Sequence, residues 1–170
     1  AHHERRHAQG VVAEVAAELG AADADVGHAH QDLTGLDGGL GLQAAREKLG
    51  LAPEHLAALV EHYRRPIPRL IFADAIRDMA TASVDVSDGL IADLGHIAGA
   101  SRVGLDIDLE VTPLSPAGQA WLAGRVDEQA ALETLATGGD DYEIAFTAAA
   151  RDEPALRREA ERRHIWLTCL

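Results

Sequence analysis

Lysine is almost absent from this sequence: Lys48 is the only one in 170 residues, and no Gly-x-x-x-x-Gly-Lys-Ser/Thr pattern surrounds it. A Walker-type phosphate loop is therefore excluded. Aromatic residues are scarce at 4%, whereas hydrophobic residues reach 47%. A core of this composition rests on Ala, Leu, Val and Ile, and the hydrophobic fraction is that of a globular chain rather than a disordered one. The single cysteine, Cys169, permits no intrachain disulfide, which suits a reducing cytoplasm. No apolar run approaches the roughly 18 residues that span a bilayer. The start, Ala1-His2-His3-Glu4-Arg5-Arg6-His7, has no apolar stretch behind it of the kind that makes a signal peptide. Positive charge is also short, with 15 Lys+Arg against 28 Asp+Glu and a formal net charge of −13. So acidic a surface repels phosphate backbones, which argues against a nucleic-acid or anionic-membrane partner. Any phosphate that binds must arrive with a cation or meet a local arginine cluster.

What is present reads as interleaved helices and short strands. Val11 to Leu19 has the look of a short Ala-rich helix closed by Gly20. Ala21 to Gly41, rich in Gly, Asp and His, reads mostly as loop, with a short strand near Leu33-Thr34. Gln43 to Leu49 reads as a helix ending at Gly50, and Pro53 as the first-turn proline of a helix over Glu54 to Tyr63. Two prolines break the chain at Arg64 to Arg69. A helix resumes over Arg69 to Ala80. Ser83 to Val86 predicts a strand that runs into Ser87-Asp88-Gly89 and an amphipathic helix to about Ala98. Gly104 to Leu109 alternates as a strand should, with Leu105, Ile107 and Leu109 on one side and Asp106 and Asp108 on the other. Helices over Pro116 to Ala123 and Asp127 to Leu135 lead to a turn at Gly138-Gly139-Asp140-Asp141. A strand over Tyr142 to Thr147, an arginine-rich helix over Pro154 to Arg163 and a strand over Ile165 to Thr168 follow. The expected fold class is α+β: a two-layer domain with a mixed sheet and helices on one face.

Two acidic clusters carry the chemistry. In Asp85-Val86-Ser87-Asp88-Gly89-Leu90 a strand becomes a helix, and Asp85 and Ser87 project to one side of the strand. Helix amides and dipole favour an anion there, and Gly89 leaves room for a ligand. Two carboxylates flanking a hydroxyl are hard oxygen donors of the kind that hold Mg2+ with nucleotide phosphates. The same pattern also fits Ser87 or Asp88 as a plain helix cap with Asp85 solvated. In Gly138-Gly139-Asp140-Asp141-Tyr142-Glu143, three carboxylates stand beside two glycines at a strand entrance. This is a second wall of a cavity if the two strands are neighbours, and a solvated surface turn otherwise. Elsewhere the plainer readings prevail. His2, His3 and His7 belong to a terminal segment, His28 and His30 to a loop, and His96 to the polar face of a helix. Cys169 reads as a small apolar residue, and Trp121 and Trp166 as packing residues.

In this order, Pro66-x-Pro68-Arg69, the run Ser83 to Ile97, Ala100-Ser101, Gly104, Ile107-Asp108-Leu109, Pro113-Leu114-Ser115 and Gly138 to Ile144 resemble the thiamine-monophosphate kinases. These lie within the superfamily of aminoimidazole-ribonucleotide-synthetase-like ATP-using enzymes. The resemblance covers about Glu54 to Leu170. It implies a carboxyl-terminal kinase domain over 43–170, truncated at its end, behind a divergent extension or domain remnant over 1–42. It further implies Asp85 and Asp88 as Mg2+ ligands, Ser87 as an ATP contact and Asp140 as a binder of thiamine phosphate, with Asp141, Tyr142 and Glu143 shaping that pocket. The implied reaction moves the γ-phosphoryl group of ATP to thiamine phosphate by direct in-line attack, without a covalent residue. A homodimer through an amino-terminal domain, and a cytoplasmic location, are part of the same expectation. The sequence departs from the family in that nothing before Ala21 resembles that domain. Val26 to Leu42 matches poorly, and the expected terminal aromatic residue is missing. The alternatives are a non-catalytic binding remnant, or another ATP-dependent synthetase of the superfamily.

Overall fold

The computed structural model describes residues 12–18, 36–46 and 49–170. Its helices are α1 (Gly38–Arg46), α2 (Pro53–Arg64), α3 (Ala73–Met79), α4 (Leu90–Ser101), α5 (Pro116–Ala123), α6 (Glu128–Thr137) and α7 (Glu153–Arg162). The strands are β1 (Val12–Glu18), β2 (Ala80–Val86), β3 (Glu143–Ala148) and β4 (Ile165–Cys169). Gly20 as a cap, the Leu33-Thr34 strand and the histidines at 2, 3, 7, 28 and 30 lie outside the described residues.

The strands form one sheet in the order β2-β3-β1-β4. The class is α+β as expected, but every neighbouring pair is antiparallel, so the sheet is not mixed. Nor do the helices keep to one face. Along β3, Phe146 and Ala148 pack with Phe72 and Ala75 at the start of α3 and with Leu156 and Ala160 of α7. Ala145 turns the other way, onto Leu90, Leu94 and Ile97 of α4. The cause is the near-continuous burial of β3: a strand apolar on both sides needs a cover on both sides. The Phe72 and Phe146 rings meet at 6.3 Å between centroids, and the full burial of each contributes about 2–3 kcal/mol. A third apolar cluster, with no part in the sheet, joins Leu40, Leu59, Trp121 and Leu135 of α1, α2, α5 and α6.

Three further readings change. Val12–Glu18 is a strand and not a helix, since β3 and β4 satisfy its backbone from both sides. The helical preference of alanine is a weak prior that such pairing overrides. Residues 103–108 join no ladder among the described residues, although exposure alternates as the pattern foretold. Leu105 and Ile107 pack on the α4 cluster, while Asp106 and Asp108 face solvent. The segment then closes in a 3₁₀ turn at Leu109–Val111, where the Asp108 carboxylate accepts from the Glu110 N–H. Finally, α1 begins at Gly38, within the stretch read as loop. Trp121 is buried as expected under the Arg125 guanidinium, whereas Trp166 is 49% exposed on β4. No helix among the described residues is long and apolar enough to cross a membrane.

Candidate active site

The site is built where β2 ends and β3 begins. Their register sets Asp85 opposite Ile144 and Val86 opposite Glu143. Pairing continues past the ladder, because Tyr142 N–H donates to Val86 O at 2.8 Å and Asp140 N–H to Ser87 O at 2.9 Å. The two acidic clusters are therefore neighbours, which sequence alone could state only as a condition. Gly139 makes the approach possible: a Cβ there would stand 2.4 Å from Ser87 O, inside any tolerable contact.

The helix cap differs from expectation. Gly89 is the N-cap of α4, and no side chain caps it. Instead the buried carboxylate of Asp93, in the first turn, reaches back and accepts from Ser87 N–H at 2.9 Å and Asp88 N–H at 3.0 Å. With Asp93 holding the backbone, the Ser87 and Asp88 side chains are released from a capping duty. Asp85 and Asp88 are both exposed, and their carboxylates take no hydrogen bond or ion pair among the described residues. Asp140 sits half-buried at φ 69°, where its carboxylate accepts from the Tyr142 hydroxyl at 3.2 Å.

The remaining acids of the second cluster turn inward. Asp141 and Glu143 are buried, and neither they nor Asp85, Ser87, Asp88 and Asp140 line the cavity that Tyr142 and Ile144 help to form. With Pro66, Pro68, Leu70 and Ile76 the latter two line a cavity of about 540 Å³ on the sheet face that carries Ser83. Asp85 shares that face with Ser83 by strand alternation. Glu143 is clasped by Arg69, whose Nε donates to Oε2 at 2.8 Å while Nη2 pairs with Oε1. Asp141 Oδ1 accepts from the Gly38 N–H at 2.8 Å. Asp37 and His62 complete this buried group, with the Ser115 hydroxyl donating to Asp37 Oδ2. Sequence reasoning missed Asp37 and His62 entirely and noted Arg69 and Ser115 only as parts of the motif set. The one local signal was Asp37 standing just ahead of an apolar-periodic run, where a helix start is expected.

Burial dominates the titration of these groups. It pushes the Asp37 carboxyl up and holds the His62 imidazole down. It raises Asp141 to about 8, with Gly38 opposing and the Asp37, Glu143 and Asp140 carboxylates adding to the rise. An acid with a raised folded pKa binds its proton more tightly when folded. Its contribution is complete below the ordinary value of 3.8 and is lost progressively up to about pH 8. The Asp141 contribution to stability should therefore decline between about pH 4 and pH 8, by at most about 1.4 kcal/mol per unit, against the opposite contribution of the depressed His62. Asp141→Asn should flatten that slope in urea unfolding curves. Parallel stability profiles for the two proteins would show that Asp141 titrates normally.

No family model matches the chain. It is 44% identical over 121 residues to the thiamine-monophosphate kinase of Caulobacter vibrioides, covering 71% of the chain and 34% of that relative. It is 37% identical over 135 residues to that of Escherichia coli, covering 79% and 40%. Among solved structures, the thiamine-monophosphate kinase of Stenotrophomonas maltophilia matches with a TM-score of 0.69 and 33% identity, over 97% of this chain and 48% of that one. A structure of AaThiL complexed with AMPPCP and TMP matches with a TM-score of 0.62 and 26% identity, over 86% and 42%. The chain thus spans less than half the length of these relatives. In sequence and in fold it belongs to the thiamine-monophosphate kinase family.

Proposed function

We propose that the chain is the carboxyl-terminal part of an ATP-dependent kinase that phosphorylates thiamine phosphate to thiamine diphosphate. The observation that carries this reading is the pair of exposed carboxylates Asp85 and Asp88, without hydrogen-bond or ion-pair partners among the described residues, flanking Ser87 and standing against the Asp140 turn. A relative complexed with AMPPCP and TMP supports the same pair of ligands, a nucleotide and thiamine phosphate.

The donor set fits Mg2+ in kind, being hard, anionic oxygens free of other partners among the described residues. It is not a closed cage: no group of three or more His, Cys, Asp or Glu among the described residues is placed to hold a metal ion. Asp85 and Asp88 would hold the ion jointly with phosphate oxygens and with ligands from elsewhere in the protein. When bound, Mg2+ neutralises phosphate charge, which a chain of net charge −13 otherwise repels. Ser87 would donate its hydroxyl to a nucleotide phosphate, and Asp140 would fix the thiamine phosphate. The acceptor phosphate is itself the nucleophile, so this chain's residues align two anions in line, and no side chain forms a covalent intermediate. Dimerisation through a further domain and a cytoplasmic setting belong to the same reading.

The test grafts this chain in place of the matching region of the Caulobacter vibrioides relative. With Mg2+, thiamine phosphate and ATP labelled at the γ-position, label should pass into thiamine diphosphate. A folded chimera that binds ATP yet transfers no label would favour a non-catalytic binding module instead.

A further inference from the structure

Two residues of the acidic turn occupy the left-handed region, Asp140 at φ 69° and Tyr142 at φ 55°; aspartate enters it more readily than most residues, and the bulky tyrosine does so at greater cost. Such strain persists only where the surroundings over-determine it. Between them stands Asp141, 1% exposed. Its carboxyl is tied to the Gly38 N–H across 103 positions of sequence. Gly38 in turn lies against the backbone of the same turn, where a Cβ would come within 2.1 Å of Asp140 O.

Gly38 is itself held from the far side. Leu36 N–H donates to Pro113 O at 3.0 Å, the Ser115 hydroxyl donates to Asp37, and the Gly118 N–H donates to Ser115 Oγ at 3.1 Å. A chain of contacts thus runs from the start of α5 through Asp37 and Gly38 to Asp141, then through Asp140 to Ser87. Glu143, on the other side of Asp141, is fixed by Arg69, and His62 lies within reach of both the Asp37 and Arg69 charges.

We propose that Asp141 is a positioning residue, whose anchored carboxyl holds Asp140 in its left-handed conformation and so presses the turn against Ser87. What the turn is positioned for rests on the reading of Asp140 as the binder of thiamine phosphate; the positioning itself does not. The group needed at 141 is a neutral or charged acceptor of the right reach. Asparagine supplies one, and alanine and serine do not reach Gly38.

Two amides report on the turn directly: those of Asp140 and Tyr142, bonded to Ser87 O and Val86 O. In amide hydrogen exchange of the 170-residue chain, Asp141→Ala should speed both by about tenfold or more relative to α4 amides such as Leu94. Asp141→Asn should keep both near wild-type rates. In the chimera, Asp141→Ala should raise the KM for thiamine phosphate about tenfold, leaving kcat and the KM for ATP near wild type, and Asp141→Asn should restore it. Unchanged exchange at Asp140 and Tyr142 in Asp141→Ala or Asp141→Ser overturns the proposal. So does an Asp141→Asn chain that exchanges as fast as Asp141→Ala. If Asp141→Ala and Asp141→Ser both fail to fold while Asp141→Asn folds, the residue serves the fold and not the turn, and the proposal falls. If the exchange result holds but Asp140→Ala leaves the KM for thiamine phosphate unchanged, the positioning stands and the substrate role of Asp140 falls.

Discussion

In the chimera, Asp88→Ala should lower phosphoryl transfer by about three orders of magnitude or more while leaving the melting temperature of the protein where it was. The two halves of this expectation have separate causes. Asp88 is exposed, and its carboxylate takes no hydrogen bond or ion pair among the described residues. Its removal therefore strands no buried partner and changes stability by no more than about 0.5 kcal/mol. The backbone of the turn stays in place because Asp93, and not Asp88, holds the Ser87 and Asp88 amides. On the proposed function, what alanine removes is charge next to two phosphate-bearing ligands, where alignment and neutralisation are most of catalysis. Asp88→Asn, which keeps shape and loses charge, should fall nearly as far. The measurement is single-turnover transfer of the γ-label in the chimera, paired with thermal unfolding. Full turnover in Asp88→Ala would remove this residue from the metal site. A large drop in melting temperature would show that the carboxylate has a structural partner instead.

How far the site was legible follows the range of the interactions that make it. The strand-turn-helix unit Val84 to Leu94 is local: alternation, a glycine and an amphipathic run fall within a dozen positions, and its strand and helix emerge as read. The capping group was misjudged, since Asp93 can turn back on Ser87 only once α4 has formed. Adjacency of the two acidic clusters needed β2 to pair with β3, a contact between residues nearly 60 positions apart that periodicity cannot rank, Asp85 with Ile144 for example. The strand Val12–Glu18 was misread because its identity lies in its neighbours β3 and β4, not in its own alanines. The buried polar group was the least legible. Asp37 joins Ser115 over 78 positions and Arg69 joins Glu143 over 74, and no local pattern distinguishes such residues from solvated ones. Burial, the property that sets their chemistry, is a product of the finished fold.

The Arg69–Glu143 pair is where that chemistry should be felt most strongly in stability. The two prolines ahead of Arg69 end α2 and carry the chain into the 3₁₀ turn Leu70–Phe72, which brings the guanidinium to the head of β3. Both side chains are almost wholly out of solvent, at 1% and 0% exposure. Arg69 Nη1 has no hydrogen-bond partner among the described residues, so the pair already carries some uncompensated desolvation. Burial holds the Glu143 carboxyl above its ordinary value even with Arg69 pulling it back. Glu143→Ala leaves the guanidinium buried with no counter-charge, which should cost about 3–5 kcal/mol, a large share of the roughly 5–15 kcal/mol of a typical domain. Arg69→Met should cost a similar amount by stranding the carboxylate, unless Glu143 takes up a proton. The double replacement Arg69→Met with Glu143→Leu removes both charges at once and should recover most of the loss, because an apolar pair of similar volume has no desolvation to offset. Urea unfolding of the wild type, the single variants Arg69→Met and Glu143→Leu, and the double variant gives the coupling directly. Additive losses, with no recovery in the double variant, would mean that the two side chains act independently and that the pair does not tie the Pro66–Arg69 segment to the acidic turn. Recovery of stability without recovery of transfer in the chimera would assign the pair a second task, that of holding β3 in the register that sets Asp140 beside Ser87.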